Sequence, residues 1–288
     1  MIELRDRFEV DPPPALARPP QRFVPPPGGV DTHAHVIGTD WIAERSYTPH
    51  PAPADDYLRM LDATGMQHGV LVQVSVHGSD NTLMLAVLKA HRERLRGIAV
   101  IRPETRDVEL QALRDAGVVG LRLNTTTGGG IGLDQIEHYA ALCAGQGWHL
   151  QLLVEPERLP ALVGRATALP VPVVFDHMGF VRPGMGEAAQ ALLQLVRDGA
   201  WVKLSGAFRL SRTGPPYGDT TALTCALAQA APERCLWGSD WPHVAFRGAM
   251  PSPGDLLDLL ADAVPDAPAR VAILAANPQR LYGFQTST

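Results

Sequence analysis

From residue 28 onward the chain repeats one pattern: a short apolar run rich in β-formers, then a longer stretch whose apolar residues recur at helical spacing. The runs fall at 28–36, 68–76, 95–101, 117–124, 149–155, 171–178, 201–206 and 235–241. Most are nearly continuous in apolar residues, as strands covered on both faces must be. Helices are predicted between them at 54–64, 81–91, 107–115, 133–144, 157–167, 186–197 and 220–230, with a C-terminal pair at 256–263 and 267–276. This alternation predicts an α/β fold, a single closed (β/α)8 TIM-like barrel over residues 28–288. An open doubly wound sheet would carry a Gly-rich fingerprint after its first strand, and none is there.

Two segments break the pattern. Residues 1–27 hold Pro12, Pro13, Pro14, Pro19, Pro20, Pro25, Pro26 and Pro27, which fix φ and withhold backbone donors. They predict a Pro-rich N-terminal arm packed outside the barrel. The run 125–132, TTTGGGIG, lacks both the spacing and the Lys of a phosphate loop, and is read as a flexible or lid-like loop.

Composition narrows the class. Of 288 residues 45% are hydrophobic, enough for a large core, which excludes whole-chain disorder. A net charge of −5, with no basic block, argues against nucleic-acid and anionic-membrane partners. Cys143, Cys225 and Cys235 are scattered in apolar stretches and read as reduced core residues, and neither a signal peptide nor a membrane span is apparent. A cytoplasmic location is expected. Whether the chain forms a homo-oligomer stays open.

The chemistry gathers at predicted strand ends. In Asp31-Thr32-His33-Ala34-His35 the two histidines sit at i and i+2, so on a strand they point to one face. His177 ends the sixth run and Asp240 the eighth, next to the first in a closed barrel, so all four residues can meet at the mouth. Three imidazoles and a carboxylate suit either a single Zn²⁺ with an open position, held by His33, His35, His177 and Asp240, or metal-free work as hydrogen-bonding groups and a base. Arg122 and Asn124 end the fourth run, where a guanidinium fork offers a bidentate grip on a substrate anion. Ser75 and His77 are placed on one strand face as donors, and Tyr47 in the loop after the first strand is placed to close over a bound molecule. Arg209, Tyr217 and Arg247 are weaker candidates for a second anion contact, and Glu155 and His243 are the next candidates for the base or a substrate contact.

In their order and spacing the motifs VDTHAHV, FDHMGF, VKLSG and LWGSDWPH, with NPQRLYGF near the C-terminus, resemble the amidohydrolase superfamily. Within it they are most similar to the branch of 2-pyrone-4,6-dicarboxylate lactonase, 4-sulfomuconolactone hydrolase, and sugar-acid lactonases and lactone isomerases. The resemblance spans residues 28–284. It implies Asp240 as the general base for a hydrolytic water, with His33, His35 and His177 polarising the lactone carbonyl. It also implies work without bound metal in that branch, whereas many relatives use the same positions as ligands. The fourth strand, GVVGLRLN, holds neither the Lys nor the Glu that a two-metal centre needs. Where the pyrone dicarboxylate pattern has a further basic residue, this chain has neutral Thr125-Thr126-Thr127-Gly128-Gly129-Gly130, which predicts preference for a monoanion.

The expected activity is hydrolysis of a small anionic lactone from aromatic or sugar-acid catabolism. The alternatives are a lactone isomerase, a Zn-dependent decarboxylase and a non-catalytic anion-binding barrel.

Overall fold

The structure, a computed structural model, describes residues 8–10, 12, 17–127 and 131–285. Eight parallel strands form a nearly closed barrel: β1 (Val30–Ala34), β2 (His68–Val72), β3 (Leu95–Ala99), β4 (Val118–Asn124), β5 (His149–Leu153), β6 (Val173–Phe175), β7 (Trp201–Leu204) and β8 (Cys235–Trp237). Each pairs with the next in sequence. Closure comes just past β8: Asp240 N–H donates to the His33 carbonyl and His35 N–H to the Trp241 carbonyl, both at 2.9 Å, around an Ala34–Trp241 bridge. This is the (β/α)8 barrel that the alternating pattern predicts.

Strand periodicity divides the side chains between two environments. Along β4, Leu121 and Leu123 join the core beneath the helices, while Arg122 between them lies inside the barrel. The helix Ala54–Thr64 shows the matching helical period, burying Tyr57, Met60, Leu61 and Thr64, and Gly65 in the left-handed region ends it by donating to the Leu61 and Asp62 carbonyls. The barrel floor is an apolar cluster of Val30, Val70, Ile98, Val174, Trp201 and Leu236 with Tyr282 and Phe284 from the C-terminus. The NPQRLYGF segment therefore plugs the floor, where the sequence suggests a position on the wall. No helix among the described residues is long and apolar enough to cross a membrane.

Several boundaries depart from expectation. The sixth and eighth strands stop at Phe175 and Trp237, so His177 and Asp240 stand in turns beyond them. The predicted helix 157–167 is a 3-10 turn, Pro156–Arg158, and a short helix, Leu159–Leu162, with Gly164 left-handed soon after. The final helices run as Pro253–Ala263, Ala267–Val271, a π turn Ala272–Ala276 and Asn277–Tyr282.

The Pro-rich stretch lies partly outside the described residues, as does the glycine run 128–130 of the predicted lid loop. Of the rest, Phe8–Glu9 pairs in parallel with Tyr47–Thr48 in a separate two-stranded sheet. Gln21 and Arg22 donate backbone N–H groups to Asp258 on the helix Pro253–Ala263, and Arg18 and Arg22 pair with Asp255 and Asp262.

Candidate active site

His33 and His35 come from β1 and the residue after it, with ring centroids 5.0 Å apart. His177 and Asp240 sit in turns with φ of 48° and 60°, a region that non-glycine residues rarely adopt. The turns aim both side chains back over the barrel mouth. The result is a convergence on one atom: Nε2 of His33, His35 and His177 lie 3.9, 3.8 and 3.8 Å from Asp240 Oδ1. Asp240 Oδ1 and His33 Nε2 are buried and have no hydrogen-bond partner among the described residues; Asp240 lines the cavity above, and His33 lies behind its wall.

On its other oxygen Asp240 accepts from Arg209 Nε at 2.5 Å. Burial alone would raise the carboxyl, but Arg209 and then the three imidazoles hold it far below the usual carboxylate range. Burial pushes His33, His35 and His177 down to about 3, so the rings are neutral near pH 7. Neutral imidazole has one donor and one acceptor nitrogen, and the outer contacts decide which is which. His35 Nδ1 meets the Val72 carbonyl at 2.7 Å and must donate to it, so His35 Nε2 presents a lone pair to the site. That corrects the expectation that all three histidines polarise a carbonyl: His35 is an acceptor. His177 Nδ1 lies 2.9 Å from Ser205 Oγ, which can act in either sense.

Beneath this group is a buried polar ring from four strands. Asp176 Oδ2 accepts from Gln151 Nε2 at 2.9 Å and Arg122 Nε at 3.1 Å. Lys203 Nζ donates to Gln151 Oε1 at 2.7 Å and lies 3.3 Å from both His33 Nδ1 and Asp176 Oδ1. Burial would raise Asp176, yet Lys203, His33 and Arg122 keep it well below the usual range, while burial lowers Lys203 to about 8. Asp31, raised to about 6 by burial, ties β1 to β8 by accepting from Ser239 N–H at 2.8 Å and Oγ at 2.6 Å. Arg122 is expected to keep its fork for substrate as the one basic residue within a barrel strand at the mouth. In fact Asp176 takes its Nε, and Lys203 is a second strand cation.

Above the group a cavity of about 430 Å³, its open mouth included, falls within the range of small-ligand sites. His35, Tyr47, Ser75, Arg122, Asn124, His177, Arg209 and Asp240 line it, with Thr126, Thr127 and the apolar Val74, Leu153, Phe180 and Val244. Tyr47 Oη lies 3.3 Å from Ser75 Oγ.

Three expected contacts stand elsewhere. Residues 75–77 form a 3-10 turn after β2 has ended, so Ser75 and His77 share no strand face and His77 is not in the cavity wall. Glu155 turns to Thr125 and Arg158 over a neighbouring groove. His243 packs behind the wall, its Nε2 donating to the Pro251 carbonyl and its ring against Phe208. Tyr217 and Arg247 are also absent from the wall. The residues that sequence reasoning missed, Gln151, Lys203 and the pairing role of Asp176, carried one signal: a polar side chain inside an otherwise apolar run.

His33, His35 and Asp240 offer ligand atoms within 4.8 Å of one another, a group that could hold a metal ion. The donor types suit Zn²⁺. Two fixed cations oppose it: Arg209 on the second oxygen of Asp240, and Lys203 behind His33.

Comparison with known proteins agrees with this geometry. The family described as Amidohydrolase matches residues 30–284. The chain is 36% identical to the 4-sulfomuconolactone hydrolase of Rhizobium radiobacter over 278 residues, covering 92% of this chain and 93% of that one. It is 36% identical to the 2-pyrone-4,6-dicarboxylate hydrolase of Comamonas testosteroni over 280 residues, 91% and 92% of the two chains. The crystal structure of a probable 2-pyrone-4,6-dicarboxylic acid hydrolase from Acinetobacter baumannii, solved with citric acid bound, superposes with a TM-score of 0.80 at 30% identity, over 89% of this chain and 100% of that one. By its family match, its relatives and its barrel, the chain belongs to the amidohydrolase family.

Proposed function

We propose that this chain is a lactonase: it opens a small anionic lactone by adding water to the ring ester carbonyl. The observation that carries the reading is the convergence of three imidazole Nε2 atoms on Asp240 Oδ1 beside a cavity that His35, His177, Asp240, Arg122 and Arg209 line. Hydrolysis needs an acceptor for a water proton and donors where negative charge grows, and both are supplied. The named relatives act on lactones that carry acidic groups, which is the substrate class two guanidinium groups suit.

Asp240 Oδ1 takes a proton from water, with His35 Nε2 accepting the other water hydrogen bond. The water oxygen attacks the carbonyl carbon, and His33 and His177 donate to the developing oxyanion. As the tetrahedral species collapses the ring C–O bond breaks, and Asp240 returns its proton to the departing oxygen. One water is consumed, and the new carboxylic acid ionises. Arg122 and Arg209 hold the substrate anion beside Thr126 and Thr127, while Tyr47, Ser75 and Asn124 complete the wall. A single metal, if bound by His33, His35 and Asp240, would act as a Lewis acid on the carbonyl. This reading requires none, because Arg209 and Lys203 already supply positive charge around the ligand set. Residues 17–27, the longest described part of the Pro-rich arm, are read as packed outside the barrel, against the helix Pro253–Ala263.

The test is a screen of pyrone, muconolactone and aldonolactone substrates read as acid release, on the wild type and Asp240→Asn. Turnover of at least one lactone is expected, with kcat lowered at least about a hundredfold in the variant, as losing a general base costs. Absence of turnover on every lactone, or near-normal rates in Asp240→Asn, would sink the reading.

A further inference from the structure

Lys203, a member of the buried ring, touches no reacting atom in the scheme above. It is fully buried in β7, directly under His33. We propose that Lys203 sets the tautomer of His33: by donating to Nδ1 it keeps the ring proton on Nε2, so His33 enters the site as a hydrogen-bond donor and not as a metal ligand.

His33 Nδ1 lies between a group that can only donate and one that can only accept. Lys203 Nζ is 3.3 Å away and Asp176 Oδ1 is 3.2 Å away. If Lys203 donates, Nδ1 is an acceptor and the proton is on Nε2. If Asp176 accepts, the proton is on Nδ1 and Nε2 shows a lone pair. The geometry favours the first. The Lys203 contact has hydrogen-bond alignment, whereas Asp176 Oδ1, though 3.2 Å from His33 Nδ1 and paired in charge with Lys203 at 3.3 Å, accepts no aligned hydrogen bond. Gln151 fixes the choice: its Oε1 anchors Lys203 at 2.7 Å and its Nε2 holds the other Asp176 oxygen at 2.9 Å.

The two tautomers serve different chemistry. A metal-ligating histidine commonly hands its second N–H to a carboxylate, and Asp176 stands where that carboxylate would be. The ligand form of His33 is thus one hydrogen bond away, and Lys203 blocks it. His35, locked by the Val72 carbonyl, already shows a lone pair, so the sorting acts on one of the two β1 histidines alone. Lys203 is by this argument a positioning residue.

The inference deepens the lactonase reading, on which the use of the Nε2 proton rests. The tautomer itself is read without substrate, so the two can fail separately.

The test uses the full-length, chelator-treated chain labelled with 15N-histidine, and two-bond 15N–1H correlations at neutral pH, with His33→Gln to assign the ring. Wild-type His33 is expected to show the Nε2–H pattern and His35 the Nδ1–H pattern. Lys203→Met, similar in length but uncharged, is expected to move His33 to the Nδ1–H pattern. It should also tighten Zn²⁺ binding in calorimetry by at least about tenfold, the scale on which outer partners tune metal ligands. A lysine that only fills space would alter the melting temperature and leave tautomer and Zn²⁺ affinity where they were. That result, a wild-type His33 in the Nδ1–H form, or stoichiometric Zn²⁺ on His33 in the protein as purified, would overturn the proposal. Should Lys203→Met not fold, the wild-type spectrum decides alone.

Discussion

Asp240 is held ionised more firmly than a general base requires. Such a base works best with a pKa near the operating pH, yet the Arg209 contact at 2.5 Å keeps this carboxyl far below its ordinary value. Arg209 also lines the cavity, so on the proposed reading a substrate anion would compete with Asp240 for the same guanidinium and raise the basicity of the carboxylate. The sign of a prediction follows. Replacing Arg209 by Met removes the cation that depresses the carboxyl, so the acidic limb of the kcat/KM profile should move up toward neutral pH, with KM raised. A limb that stays in place in Arg209→Met would assign it to another group. Arg122→Met should cost about 2–5 kcal/mol in kcat/KM if the anion it holds is desolvated. It should lower Tm as well, because buried Asp176 then keeps its charge with one partner fewer. At this scale the sequence revealed His33, His35, His177 and Asp240 because each is a polar residue where an apolar run ends. It hid Lys203, since one Lys in a short apolar strand reads equally well as a snorkelling edge residue. The Arg209 contact was hidden too, because pairing between the short helix Ala207–Leu210 after β7 and the turn after β8 has no local signature.

Between elements, the position of His33 depends on how closely β8 approaches β1. Gly238, just past β8, has no side chain because a Cβ there would lie 2.7 Å from His33 Cβ and 3.0 Å from its backbone nitrogen. Neither neighbour is a flexible tip, so Gly238→Ala must part the strands or tilt the histidine. It should destabilise the fold by about 1–3 kcal/mol, as overpacking does, and lower kcat more than its loss of stability explains. Gly145, exposed in the helix Ile136–Gln146 with nothing near its missing Cβ, is the control. Gly145→Ala should raise stability by about 0.5–1 kcal/mol without touching activity. Equal loss of activity in both variants, or none in Gly238→Ala, would show that strand spacing does not position His33. Strand order and number were legible here because parallel strands must alternate with helices. The strand ends were not: His177 and Asp240 leave the strands through left-handed turns at non-glycine residues, a conformation that tertiary contacts impose and composition does not announce.

The whole molecule encloses a charge cluster that is balanced only while its histidines are neutral: Asp31, Asp176 and Asp240 against Arg122, Lys203 and Arg209. Asp31 sits high in its range, so below about pH 6 its own charge is the first to go. Burial lowers His33, His35, His149 and His177 to about 3 and His243 to about 4, from the 6.5 of an exposed ring. Between those values the unfolded chain binds protons that the folded chain refuses, so stability falls as pH falls, by up to about 1.4 kcal/mol per pH unit for each such ring. Asp31 works the other way: its raised folded value contributes stability below about 4 that is lost as pH rises through about 6, but it is one group against five. Asp176 and Asp240, held low, add to the acid sensitivity only below the ordinary carboxylate range. All five rings act in this direction, so cooperative acid unfolding is expected between about pH 6 and 4. His149 lies outside the cavity wall, on the barrel floor beside Tyr282, with neither ring nitrogen in an aligned hydrogen bond, and it meets the site only through the charges of Lys203 and Asp176. His149→Leu should shift the acid midpoint downward and leave kcat unchanged. Circular dichroism across pH 8 to 3 on both proteins checks it: a wild-type midpoint below about 4 would place the acid sensitivity on the carboxylates, and an unmoved midpoint in the variant would remove His149 from the account.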